Sequence, residues 1–90
     1  MATVDTASPT VVRHGAELTF ETLGEDYAPL RVHRSEDTLL RVIDGPVRLV
    51  VDGVERVLGT GGEAIVPAGA AHRIASMDGQ ASIVLGFRPA

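Results

Sequence analysis

Gly61-Gly62-Glu63-Ala64-Ile65-Val66-Pro67-Ala68-Gly69-Ala70-Ala71-His72 is the stretch whose reading decides the fold of this chain. Gly61 and Gly62 turn the chain, and Ala64-Ile65-Val66 is a short apolar run with strand character. Pro67 ends that strand, because it has no N–H to give to a neighbouring ladder. Gly69 permits a tight turn. His72 then opens the next strand with its imidazole aimed across a barrel interior. Taken alone, the stretch establishes a turn followed by a strand that begins at a histidine.

Working outward, the chain reads as short strands separated by turn chemistry. Runs with strand character cover Thr10 to Arg13, Glu17 to Thr22, Leu30 to His33, Thr38 to Asp44 and Val47 to Val51. Further runs cover Val54 to Leu58, Ala64 to Val66, His72 to Ala75 and Ala81 to Phe87. Val51-Asp52-Gly53-Val54 is a strong hairpin signal, since Asp-Gly suits a type I′ turn. Val47, Leu49 and Val51 alternate with Arg48, Val50 and Asp52, as a half-buried strand requires. Nothing between residues 10 and 88 offers ten helical residues with an apolar stripe. The pattern is that of an all-β sandwich or small barrel without substantial helix.

Ninety residues make one small domain. Residues 1–9 are small and polar and read as a flexible N-terminal segment, leaving residues 10–90 as a single β-barrel domain. Hydrophobic residues are 44% of the chain but aromatics only 3%, so the core is aliphatic. A core so light in aromatic side chains points to support from a partner subunit, and a homodimer is expected. With no Cys there are no disulfides, thiolate nucleophiles or thiolate metal ligands. With no Lys there is no side-chain Schiff base. The net charge of −4 and the scattered Arg side chains leave no basic stripe for nucleic acid. No apolar run approaches the roughly 18 residues of a membrane span, and the N-terminus lacks the layout of a signal peptide. The expectation is a soluble cytoplasmic protein that meets neither nucleic acid nor membrane.

The spacing of Gly61, Pro67, Gly69 and His72 resembles the second signature of the cupin superfamily, and the resemblance extends over roughly Gly24 to Phe87. It implies a small double-stranded β-helix, the cupin or jelly-roll barrel. The first cupin motif reads Gly, five residues, His-x-His, three or four residues, Glu, six residues, Gly. Anchored on Gly45, it places the Glu position at Thr38, the second His at His33 and the first at Arg31, with Gly24 as the opening Gly. The four metal-ligand places of the family are therefore held by Arg31, His33, Thr38 and His72, which keeps two of the four ligands.

Two imidazoles without a carboxylate hold a divalent ion such as Fe, Mn, Ni or Zn weakly. A guanidinium two residues from His33 shares its strand face and opposes a metal. The resemblance to metal-dependent cupins (dioxygenases, isomerases, decarboxylases) is kept only if Asp37, or Glu36 from the loop, completes a site with His33 and His72. Alternation turns Asp37 out of the barrel unless a bulge intervenes.

Taken at face value, the residues describe a different site. Arg31 offers a planar fork for a carboxylate or phosphate, His33 and His72 exchange protons near neutral pH, and Thr38 forms a hydrogen bond. Tyr27, beside Pro29, could reach the barrel mouth as a proton donor. This set suits a small polar or carboxylated metabolite, bound with or without acid–base chemistry. A non-catalytic sensing module is the third alternative. Against these stand plainer roles: histidines satisfied by backbone groups, Arg31 paired with Asp37 or Glu36 at the rim, Thr38 as strand filler, and Tyr27 covering an edge.

Overall fold

The structure, a computed structural model, describes residues 18–90. The expected flexible segment 1–9 and the run Thr10 to Arg13 lie outside the described residues. Eight strands follow: β1 (Thr19–Leu23), β2 (Arg31–Val32), β3 (Glu36–Asp44), β4 (Val47–Val51), β5 (Val54–Leu58), β6 (Glu63–Val66), β7 (Ala71–Ser76) and β8 (Ala81–Pro89). No helix is present among the described residues, and so none is long and apolar enough to cross a membrane.

The strands form two antiparallel four-stranded sheets, β1-β8-β3-β6 and β2-β7-β4-β5. Among these strands only β4 and β5 are both consecutive and paired, and every other connection crosses to the opposite sheet. That is a double-stranded β-helix. The β4–β5 hairpin sits where Asp-Gly requires it. Asp52 and Gly53 take φ of 49° and 82°, both left-handed, which matches the twist of the flanking strands. Gly69 likewise sits at φ 86° in the turn between β6 and β7, where Ala70 N–H donates to the Pro67 carbonyl.

Alternation sets the core. On β3, Thr38, Leu40 and Val42 face inward; on β4, Val47 and Leu49 do; on β8, Ala81, Ile83 and Leu85 do. Val47 and Leu49 are fully buried. The core cluster is entirely aliphatic, with Phe87 packed at its border. Three backbone hydrogen bonds tie loop segments to the barrel. Ser76 N–H donates to Gly24, Ala28 N–H to Ile74, and Gly69 N–H to His33. The first two hold residues 24–28 along β7, and the third fixes the loop that carries His33.

Candidate functional site

His72 is the second residue of β7 and faces inward, 6% exposed. Its Nδ1 lies 3.3 Å from the Ala70 carbonyl. A carbonyl can only accept, so Nδ1 carries the proton in that contact and Nε2 is the unprotonated nitrogen of the neutral ring. Burial holds the imidazole below the ordinary histidine pKa. The hydrogen bond to Ala70 opposes this shift, while the charges of His33 and Arg31 add to it. At neutral pH the ring is therefore an uncharged base.

His33 follows β2 and meets His72 with ring centroids 5.5 Å apart. Its other face is closed by Phe87, edge-on at 5.1 Å. Phe87 stands directly opposite Thr38 across the β3–β8 ladder, and Val66 stands opposite Thr38 on the other side. Thr38 is 1% exposed, and its Oγ1 has no hydrogen-bond partner. The two histidines, Phe87 and Thr38 thus form one contiguous group at the end of the barrel. Phe87 gave no chemical signal in the sequence; only its register with Thr38 brings it here.

Arg31 pairs in register with His72, so both residues sit at one level of the same sheet. Its Nη1 reaches the Glu21 carboxylate of the opposite sheet at 3.0 Å. The rim partners expected for Arg31 were Asp37 or Glu36, and the structure supplies Glu21 instead. Glu21 pairs with Ile83, an inward position on β1, and from there spans the gap between the sheets. Beside this pair a void of about 10 Å³ is lined by Arg31, His72, Leu40, Ile83 and Leu85, room for about one water. A charged residue in the inward phase of a strand is the signal that could have located Glu21.

Two expected participants lie elsewhere. The β3 ladder runs without interruption from Glu36 to Val42, so no bulge turns Asp37 inward. Its Oδ1 accepts from Ala68 N–H at 2.9 Å and its Oδ2 from Arg88 Nε at 3.2 Å. Those hydrogen bonds, the one from Ala68 first, hold its carboxyl below the usual carboxylate range. Tyr27 sits on the outer face of the β2-β7-β4-β5 sheet. The outward side chains of Arg48 and Arg73 cover its ring at 5.0 and 5.4 Å, and its hydroxyl donates to Glu55 at 3.2 Å.

These placements test the metal of the family. Among the described residues no three His, Asp or Glu side chains come together as a ligand set. Two imidazoles remain, beside a guanidinium, with Asp37 committed to Ala68 and Arg88 and Glu21 to Arg31. The residues present do not fit a resident divalent ion.

A two-sheet β-helix with a histidine pair at one end defines the class of the protein. The match to the cupin domain model over residues 18–85 makes it specific: the chain belongs to the cupin family. Solved structures agree. A cupin protein from Bacteroides fragilis superposes with a TM-score of 0.75 at 18% identity, covering 83% of this chain and 66% of that one. A predicted oxalate decarboxylase from Thermotoga maritima gives 0.73 at 13% identity, covering 81% and 65%. A cupin-2 domain protein from Shewanella frigidimarina gives 0.67 at 19% identity, covering 93% and 81%. The chain thus spans just under two thirds of the first two relatives, and identities this low speak for the fold alone. No curated protein matches the chain.

Proposed function

We propose that this cupin binds a small polar or carboxylated metabolite at the His33–His72 end of the barrel, without a resident metal, with His72 as the acid–base group. The observation that carries this reading is the buried His72 ring, which donates at Nδ1 to Ala70 and so leaves Nε2 free of a proton. Near it lies a buried hydroxyl, that of Thr38, with no protein partner. A ligand hydroxyl or carbonyl meets Nε2 and Thr38, while a ligand carboxylate shares Arg31 with Glu21. His33 is the second proton carrier, and a base beside a cation suits removal of a proton next to a carboxylate or carbonyl.

The test is calorimetric titration with a panel of small hydroxy- and keto-carboxylates. Proton NMR in deuterated water then follows exchange of the C–H bonds next to the ligand's carbonyl. Wild-type protein is expected to bind and to exchange. His72→Gln should lose exchange, and Arg31→Gln should weaken binding. Unchanged binding and exchange in His72→Gln would overturn the proposal. So would near-stoichiometric metal in protein purified without chelator, if His72→Ala loses that metal.

A further inference from the structure

β1 ends at Leu23 and β2 begins at Arg31, and residues 24–30 between them form no strand. They continue the work of β2 along one edge of β7. β2 itself pairs only with Ala71 and His72. Farther along that edge, Ala28 N–H donates to the Ile74 carbonyl, and the Gly24 carbonyl accepts from Ser76 N–H. The two contacts lie four residues apart in the segment but only two apart on β7, so the segment bows off the edge. A regular antiparallel partner would exchange both N–H···O bonds at alternate residues. Here each position makes one.

Side-chain contacts on the outer face hold the bow in place. Tyr27 lies within it, its ring flanked by the Arg48 and Arg73 guanidiniums at 5.0 and 5.4 Å and its hydroxyl on Glu55. Arg48 Nη2 also donates to the Glu25 carbonyl at 3.2 Å, and Gly79 N–H donates to the Glu25 carboxylate at 2.6 Å. All three of these hydrogen bonds are exposed, and exposed contacts are weak singly. Gly24, Glu25, Asp26, Pro29 and Leu30 are exposed as well, which is the profile of a segment that opens locally.

The inner side of the same segment faces the site. Ala28 and Pro29 line the void beside Arg31 and His72. Larger groups take the other sides. His33 stands against the His72 ring, backed by Phe87, and the Glu21–Arg31 pair bridges the two sheets. Ala28 and Pro29 are thus the one wall of the void that can move without breaking a sheet. We propose that residues 24–30 are a strap over a side entrance to this void, and that Tyr27 is the latch that decides how readily a ligand reaches His72. Tyr27 touches no ligand in this scheme; it is a positioning residue that acts through Ala28 and Pro29. The role presupposes His72 as the working group of the site, but it can be measured without the metabolite.

Diethyl pyrocarbonate, which acylates uncharged imidazole, is the probe, with labelling at about pH 7 read peptide by peptide by mass spectrometry. His72 should label slowly in the wild-type chain. Tyr27→Ala should raise its initial rate at least about tenfold, the joint worth of two cation–π contacts and one exposed hydrogen bond. Tyr27→Phe keeps the ring and should stay much closer to wild type, having lost only that hydrogen bond. Arg48→Gln, at a side chain that does not line the void, should raise the rate about two- to fivefold. His33, half-buried from the start, should label alike in every variant, and amide exchange of Ile83 in the core should not change. Equal labelling of His72 in wild type, Tyr27→Ala and Arg48→Gln would overturn the proposal. So would faster labelling matched by equally faster exchange at Ile83, since that marks global unfolding. Carboxylate titration judges the proposed function separately, so a strap over an unresponsive site and a responsive site without a strap give different results.

Discussion

Replacing Thr38 by Val should make the protein more stable and the site worse. Thr38 is 1% exposed and its Oγ1 has no partner. A buried hydroxyl that gives up water without gaining a hydrogen bond costs about 1–3 kcal/mol. Val keeps the branched shape that strand β3 favours and exchanges the hydroxyl for a methyl group, which fits the Val66 and Phe87 neighbours. The gain should fall near the lower end, about 1 kcal/mol, which in a domain of this size raises Tm by about 4–8 °C. Thr38→Ser is the control with the opposite sign. It keeps the orphaned hydroxyl and deletes a buried methyl, at a loss of about 0.5–1.5 kcal/mol. Reversible thermal and urea unfolding followed by circular dichroism measures both. Ligand binding should move against stability, with Thr38→Val weakening a bound hydroxy-carboxylate by about tenfold, the worth of one hydrogen bond. A Thr38→Val protein less stable than wild type would show that the hydroxyl is satisfied, and the reasoning would fall. A more stable variant that binds equally well would remove Thr38 from the site.

Two further outcomes follow from charge. The folded pKa of His72 lies below its ordinary 6.5, so between the two values the unfolded chain binds more protons and stability rises with pH. Full stability is thus present above about 6.5 and is lost as pH falls toward the folded value. The permanent cation of Arg31 beside the ring opposes the imidazolium and adds to the loss. Urea midpoints at about pH 7 and about pH 5 should show this limb in wild type and a shallower one in His72→Gln. Asp37 acts in the same sense at lower pH. Its folded pKa is depressed below 3.8, so its contribution is present above that value and lost as pH falls through the folded pKa. Asp37→Asn should lower Tm at neutral pH and reduce the acid loss. An unchanged acid limb would show that the Ala68 and Arg88 contacts contribute nothing to stability.

The framework of the fold was legible because turn chemistry and period-two alternation both act locally. The hairpin of Val47–Val51 with Val54–Leu58 lies where Asp52-Gly53 marks it, and the strand before Pro67 ends at Val66. The inward aim of His72 also follows from local alternation. What was not legible depends on contacts between sheets or on strand phase. Glu17 to Thr22 reads as a strand, but its phase is set by pairing with Ala81–Leu85, which no local rule reveals. Glu21 was therefore missed, and so was the exposure of Phe20. Tyr27 was misplaced for a related reason. Residues 24–28 are held along β7 by backbone hydrogen bonds, which leaves Tyr27 on the outer face between Arg48 and Arg73. The three aromatic residues that would ordinarily announce a core all lie outside its centre: Phe87 against His33, Phe20 in solvent and Tyr27 between two guanidiniums.

The two departures from the first cupin motif explain each other. With Arg31 in the place of a ligand imidazole, a permanent cation stands next to His72, and a second cation at that level would meet it at close range. With Thr38 in the place of the motif carboxylate, the group that would hold such an ion is gone as well. The carboxylate that the site does keep comes from Glu21, on the opposite sheet, and it neutralises the guanidinium at 3.0 Å. A cation and a carboxylate thus still meet at the end of the barrel, but as side chains of fixed charge. Such a pair cannot change oxidation state. It can be opened, because a ligand carboxylate competes with Glu21 for the same fork at little net change in charge. In the proposed reading, His72 acts beside a cation whose charge Glu21 screens. On that arrangement of fixed charges the proposed binding of small acids rests, with both histidines kept and no carboxylate at position 38 between them.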